Sequence, residues 1–465
     1  MALTIRLLMV FLQWIAYVPV GLGDVCADIP ALTDARTRVV WLQDQGNGLD
    51  VMAQGNRLKL MGWDSGDKHG ERAIMPEIGS YRKPLITPSG GRIVFSFGHP
   101  EAQIHVINWD GTGHRVIGAG MAVDVWQDPA TGTDWVYAGR NPQKGKGDQF
   151  EQVVRFCIDD PQTVEPVWNI SPINPDNFQV SADGSRASGT FPWPAVGVAR
   201  LPNQSWQEYG KGCWTSLSPD NSYLMWMFDG QHRNLILHTD GNQKSWRVNI
   251  TGVPDIAGYE VYHPRWSNHP FVFAMTGPYK IKTGVNNIRG GGAGVEVYLG
   301  RFSNDMKTVR TWARITRNDK ADFFPDAWIE GGEKVTLDRS RLSGPDRSSA
   351  NSKNRNVPKR IQVHARLLEK SETPDPASIA PYSRALAVYR YEILTPVGNL
   401  AAGSKILVAH WVIQDYAVIA DFSRTTGQSY RMALEDMASH PDLESERMIQ
   451  DMDVWDLPLF IDMTR

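Results

Sequence analysis

Nine polar side chains recur at one kind of place in this chain, immediately before or at the start of short apolar runs bounded by turn residues. They are Arg82 and Lys83, Asp124, Asn177, Lys211, Tyr262 and His263, and Asp322 with Asp326. His263 stands in Tyr262-His263-Pro264-Arg265-Trp266. A histidine there can serve as a general base, assisted by Tyr262, while Arg82 or Lys211 offsets the charge of a substrate carboxylate. That combination suits β-elimination from a uronic-acid sugar, whose α-proton becomes removable once the carboxylate is neutralised. The plainer reading makes His263 a strand-end residue that bonds a backbone carbonyl. Lys83, Asp124, Asn177, Asp322 and Asp326 would then line a polar funnel and hold a charged or hydroxylated ligand. Asp322 and Asp326 could together approach a divalent cation, although a hard-ion site usually takes six or more oxygens. No other cofactor is expected.

What must position these residues is a repeat. An apolar strand, a Pro/Asp/Gly/Asn turn, a second strand and a third ending in Asp-Gly before a fourth recur along the chain. The clearest copy runs Lys83-Pro84-Leu85-Ile86-Thr87-Pro88-Ser89-Gly90-Gly91, Arg92–Phe97, Gln103–Trp109, Asp110-Gly111-Thr112-Gly113 and His114–Ile117. Further copies begin near Val123, Phe178, Cys213, His263 and Phe324. Gly and Asp-Gly sit where antiparallel strands must reverse. Four-stranded units at such spacing predict the blades of a β-propeller, in which first strands line a central channel. The copy at Phe324 lacks its outer strands, and Arg38–Leu42, Leu58–Gly62 and Glu71–Met75 are strands without a repeat of their own. Closure of the ring by these N-terminal strands follows, giving six blades, with seven as the alternative.

Ser218-Pro219-Asp220-Asn221, Ser181-Ala182-Asp183-Gly184 and Ile104–Gly118 resemble the repeats of TolB-like six-bladed propellers, over roughly residues 37–335. The resemblance implies the fold and leaves function open, since that scaffold serves binding proteins and enzymes alike. His-Pro before an inner strand and Gly277-Pro278 after the next are also similar to oligogalacturonide lyases. That resemblance implies a metal held by several His and a Gln, but the corresponding Asp322-Phe323-Phe324-Pro325-Asp326 contains no His.

Composition agrees with an all-β chain: 17 Trp, 42 Gly and 29 Pro among 465 residues. The 48 basic residues balance 51 acidic ones, which excludes nucleic acid as a general partner. Residues 1–27 read as a signal peptide, with an apolar run Leu7–Val20 and a cut after Ala27. Periplasmic or extracellular residence without stable membrane insertion follows, and Cys157 and Cys213 either pair or sit apart in the core. Residues 28–338 are assigned to the propeller, 339–384 to a polar basic linker, and 385–465 to a small all-β barrel or sandwich. The expected function is binding or scaffolding, with a polysaccharide or an envelope protein recognised at the funnel. The alternative is a polysaccharide lyase using His263.

Overall fold

A computed structural model describes residues 29–98, 102–143, 149–253, 255–281, 285–286, 291–342, 344, 359–380, 382–420, 422–452, 454 and 457–464. The expected signal peptide and most of the basic stretch at 345–358 lie outside these residues.

Six four-stranded antiparallel blades form the ring, the fifth carrying one extra short strand. Their innermost strands are Tyr81–Ile86, Met121–Gln127, Gln179–Val180, Cys213–Leu217, Glu260–Trp266 and Ala321–Ile329, in blades one to six. Each packs on the next around a closed circle. Blade six joins the chain ends: Ala321–Ile329 pairs with Thr37–Asp44, followed outward by Leu58–Asp64 and Arg72–Ala73. The expected closure is therefore observed, and it covers the outer edge of the blade-six inner strand that the missing repeat would leave open.

Five of the six innermost strands break register with their neighbour. In blades one, four, five and six the break holds a residue with left-handed backbone: Lys83 (φ 38°), Trp214 (φ 46°), His263 (φ 53°) and Phe324 (φ 49°). Such angles are uncommon for side chains of this size, so the surrounding sheet must impose them. Pro84, Pro264 and Pro325 follow three of the four and supply no N–H to the ladder. The bulge turns these bulky side chains into the channel.

Past the bulge, one position ties four of the blades to the next, while in blade one it is the apolar Leu85. Asp326 accepts from the Ile86 backbone N–H at 2.7 Å, and Asp124 from that of Val180 at 2.6 Å. Gln179 accepts from the Leu217 N–H at 3.2 Å, and Ser216 from the Trp266 N–H at 3.1 Å. In blade five the same position is Arg265, which has no acceptor and instead donates across the channel.

The C-terminal unit is a closed barrel of five strands: Ile361–Lys370, Ala385–Ile393, Lys405–Gln414, Leu459–Asp462 and Ser429–Asp436. Ile361–Lys370 lies within the stretch expected to be linker, because its pairing with Ala385–Ile393 and Ser429–Asp436 buries Val363, Ala365 and Leu367. Ala417–Val418 adds a short strand to Lys405–Gln414. Barrel and propeller meet at blades four and five. There Arg447 enters a fully buried pair with Glu260 at 2.8 and 3.0 Å. Glu260 also faces His232 at 3.2 Å, and the Cys213 sulfur lies 3.4 Å from the Tyr382 hydroxyl. Cys157 and Cys213 are free thiols in blades two and four.

Candidate functional site

The channel is divided by Arg265. Its Nε donates to Asp326 Oδ1 at 2.9 Å and its Nη2 to Asp124 Oδ1 at 2.7 Å. Burial works against the guanidinium charge, but the two carboxylates outweigh it and hold its pKa above the ordinary value. For Asp326 burial wins, pushing its carboxyl upward despite Arg265, with the Asp124 charge adding to the rise. One cation shared by two buried acids explains both directions.

On the side where the innermost strands begin, the channel is nearly solid. Lys83, Trp214, His263 and Phe324, the four left-handed residues, fill it with Asp176 and the prolines, leaving about 20 Å³. Lys83 Nζ donates to the Val123 carbonyl at 2.7 Å and to that of Pro175. Burial, and then the neighbouring Arg265 charge, push its pKa down to about 7. His263 is 1% exposed. Its Nδ1 meets Thr276 Oγ1 at 2.9 Å and its Nε2 the Val51 carbonyl at 3.0 Å. Burial lowers its pKa to about 3, so the ring is neutral. Trp214, Tyr262 and Phe324 surround it at ring separations of 4.8, 4.7 and 4.3 Å. This is the plainer of the two sequence readings: both ring nitrogens are engaged and solvent does not reach them.

Beyond Arg265, where the innermost strands end, a cavity of about 570 Å³ opens. Its floor is Arg265 with Asp124 and Asp326, and Trp126, Trp266 and Trp328 stand in its walls. The rim is made by the turns between first and second strands. Trp328 donates its indole N–H to the Pro88 carbonyl and Trp126 to that of Ala182, both at 2.8 Å, each reaching the turn of the next blade. Those turns need glycine. Gly90 (φ 75°) and Gly184 (φ 72°) are left-handed, and a Cβ there would lie 2.5 Å from Trp328 and 2.7 Å from Trp126. The serine and aspartate of the turn lock it: Ser181 and Ser185 both donate to Asp183, at 2.6 and 2.8 Å.

The nine sequence candidates thus separate. Asp124 and Asp326 reach the cavity; Lys83, His263 and Tyr262 belong to the filled half. Arg82 is buried on the same strand as Lys83, and its charge acts on the Asp50 carboxyl. Asn177 is spent on blade four, accepting the Thr215 N–H at 3.0 Å. Lys211 is exposed at the end of the outermost strand of blade three, two residues before the inner strand of blade four, and lines neither half of the channel. Asp322 does not share a site with Asp326. Its carboxylate accepts from Trp41 Nε1 at 2.7 Å, Gln43 at 3.2 Å and Asn318 at 2.9 Å, and burial raises its pKa to about 7. Among the described residues no group of three or more His, Cys, Asp or Glu is arranged to hold a metal. Arg265, Trp126 and Trp328 were not singled out as channel-lining residues from sequence. The signal was their place after the bulge, where the strand points to the opposite mouth.

No family model matches the chain, and no curated protein matches it. Among solved structures, TolB from Acinetobacter baumannii is similar at 13% identity over 64% of this chain and 67% of that one, with a TM-score of 0.43. A putative TolB from Agrobacterium tumefaciens is similar at 11% identity over 64% of this chain and 95% of that one, TM-score 0.35. An oligogalacturonate lyase in complex with manganese gives 14% identity over 45% of this chain and 61% of that one, TM-score 0.29. These are likenesses of shape at low identity; the six blades stand on the chain's own strand order.

Proposed function

We propose that this chain is a non-catalytic binding protein of the cell envelope or exterior, and that it recognises a glycan in the cavity below Arg265. The cavity carries the reading. About 570 Å³ lies within the roughly 300–1,000 Å³ of small-ligand sites. Indole walls with a few convergent polar groups suit the apolar face and hydroxyl edge of a sugar ring. The apolar run Leu7–Val20 supports export, and among the described residues no helix is long and apolar enough to cross a membrane.

Binding is preferred to β-elimination because of what each requires of His263. A general base must reach the proton it removes. His263 is buried, neutral and already bonded at both nitrogens, and the cavity lies on the other side of Arg265. The test is a glycan array probed with the purified chain and with Ala182→Trp, which places a large ring on the cavity rim. Wild-type binding that the variant abolishes supports the reading. Binding indifferent to Ala182→Trp, or unsaturated product released from uronic-acid polymers by the wild type, overturns it.

A further inference from the structure

We propose that the cavity selects a ligand bearing a protonated amine on a sugar ring, an inference that rests on the cavity being the recognition site. The argument is one of charge at the floor. With the groups of the filled half that act on the floor, Arg265 and Lys83 stand against three carboxylates, Asp124, Asp326 and Asp176, and the Arg265 Nε and Nη2 are committed to Asp326 and Asp124. The second oxygen of Asp124 and that of Asp326 each take a single backbone N–H, from Val180 and from Ile86. An ionised carboxylate offers about four lone-pair sites, so acceptor capacity remains at the floor.

The excess negative charge is held where it is costly. Asp124 and Asp326 are 3% and 6% exposed, and burial already pushes the Asp326 carboxyl upward. Charges interact several-fold more strongly in such surroundings than in water. An entering cation would relieve that excess, while an entering carboxylate would add to it. Glu330 and Glu333 against Lys334 extend the same sign to the rim, where exposure and salt weaken their contribution. The walls fix the scaffold. Trp126 and Trp328 are partly exposed beside the cavity and give it the aromatic lining that suits the apolar side of a sugar ring, whereas Trp266 is buried against Trp226.

The experiment is calorimetric titration of the full chain at about pH 6, where primary amines are protonated. The probes are glucosamine trimer, N-acetylglucosamine trimer, galacturonate trimer and trilysine. The glucosamine trimer is expected to bind at least tenfold more tightly than each of the others. Ala182→Trp should abolish that binding, and Glu330→Gln with Glu333→Gln, both at exposed positions, should narrow the margin several-fold. Added salt should narrow it too. Equal or tighter binding of the N-acetylated or galacturonate trimer, still lost in Ala182→Trp, overturns the amine preference and leaves the cavity as recognition site. Trilysine binding as tightly as the glucosamine trimer overturns the sugar scaffold. No binding of the glucosamine trimer to the wild type overturns the inference, and binding that ignores Ala182→Trp overturns the cavity reading beneath it.

Discussion

Arg265 Nη2 bonds Asp124 Oδ1 at 2.7 Å, so a side chain rooted in blade five is tied to one rooted in blade two, on the opposite side of the ring. Through Asp326 at 2.9 Å the same guanidinium holds blade six. Three blades meet on one residue. Arg265→Met would leave two buried carboxylates without the guanidinium they share. Removing one partner of a buried pair costs about 3–5 kcal/mol. The urea midpoint should fall accordingly, and Arg265→Lys should recover only part, since an ammonium cannot fork to both acids. An unchanged midpoint in Arg265→Met would show that the tie carries no stability.

His263 makes the fold sensitive to acid. Its pKa is depressed to about 3 in the folded chain and is about 6.5 when exposed. Between those values the unfolded chain binds a proton that the folded chain refuses. The stabilisation is full above about pH 6.5 and is lost as pH falls toward 3. Unfolding free energy followed from pH 7 to 4 should decline, and more gently in His263→Gln. Parallel slopes in the two proteins would refute the assignment.

Asp322 acts with the opposite sign. Burial raises its folded pKa to about 7, against about 3.9 in the unfolded chain. Its contribution is therefore full below about pH 3.9 and lost as pH rises through 7. Asp322→Asn keeps an acceptor for Trp41 and cannot ionise. Relative to wild type it should gain stability from pH 4 to pH 8 in paired urea melts; a constant difference would contradict this.

The ring depends on its N-terminal strands. Deleting residues 29–73 removes three strands of blade six and exposes the edge of Ala321–Ile329. The truncated chain should show no cooperative thermal transition and should associate through that edge. A sharp melt at the wild-type temperature would show the strands to be dispensable.

Arg447 joins barrel to propeller. Glu260 is fully buried, and Arg447, its strongest favourable partner, holds its carboxyl below the usual range against the cost of burial. Arg447→Met should cost about 3–5 kcal/mol. Hydrogen exchange should rise at the contact between residues 230–233 and 446–450 before it rises in either core. Simultaneous loss of protection in both units would place the cost elsewhere.

The repeat, the blade count and the closing strands were all legible, because turn chemistry and alternating apolar runs are local signals. The strand Ile361–Lys370 was legible too, with Ile361, Val363, Ala365 and Leu367 alternating with polar residues, but the basic stretch before it masked the pattern. The open cavity was expected at the mouth where the innermost strands begin and lies at the mouth where they end. Residues before each inner strand do converge, as Lys83 and His263 illustrate, yet the bulge at each of them drives large side chains inward and closes that half. Nothing local in Lys83-Pro84 or His263-Pro264 announces a left-handed backbone at the residue before the proline. Nor does a single arginine reveal that its two acids come from repeats far apart in sequence.

Blade six also sets a timetable. Thr37–Asp44 leaves the ribosome early, but its inner partner Ala321–Ile329 is made only after five blades have been synthesised. Until then three finished strands have no sheet to join, although domains tend to fold as they emerge. Pairing residues so distant in sequence is also slow. The first strands to be made are thus the last to be placed, and their unsatisfied edges must be kept from other chains throughout that wait.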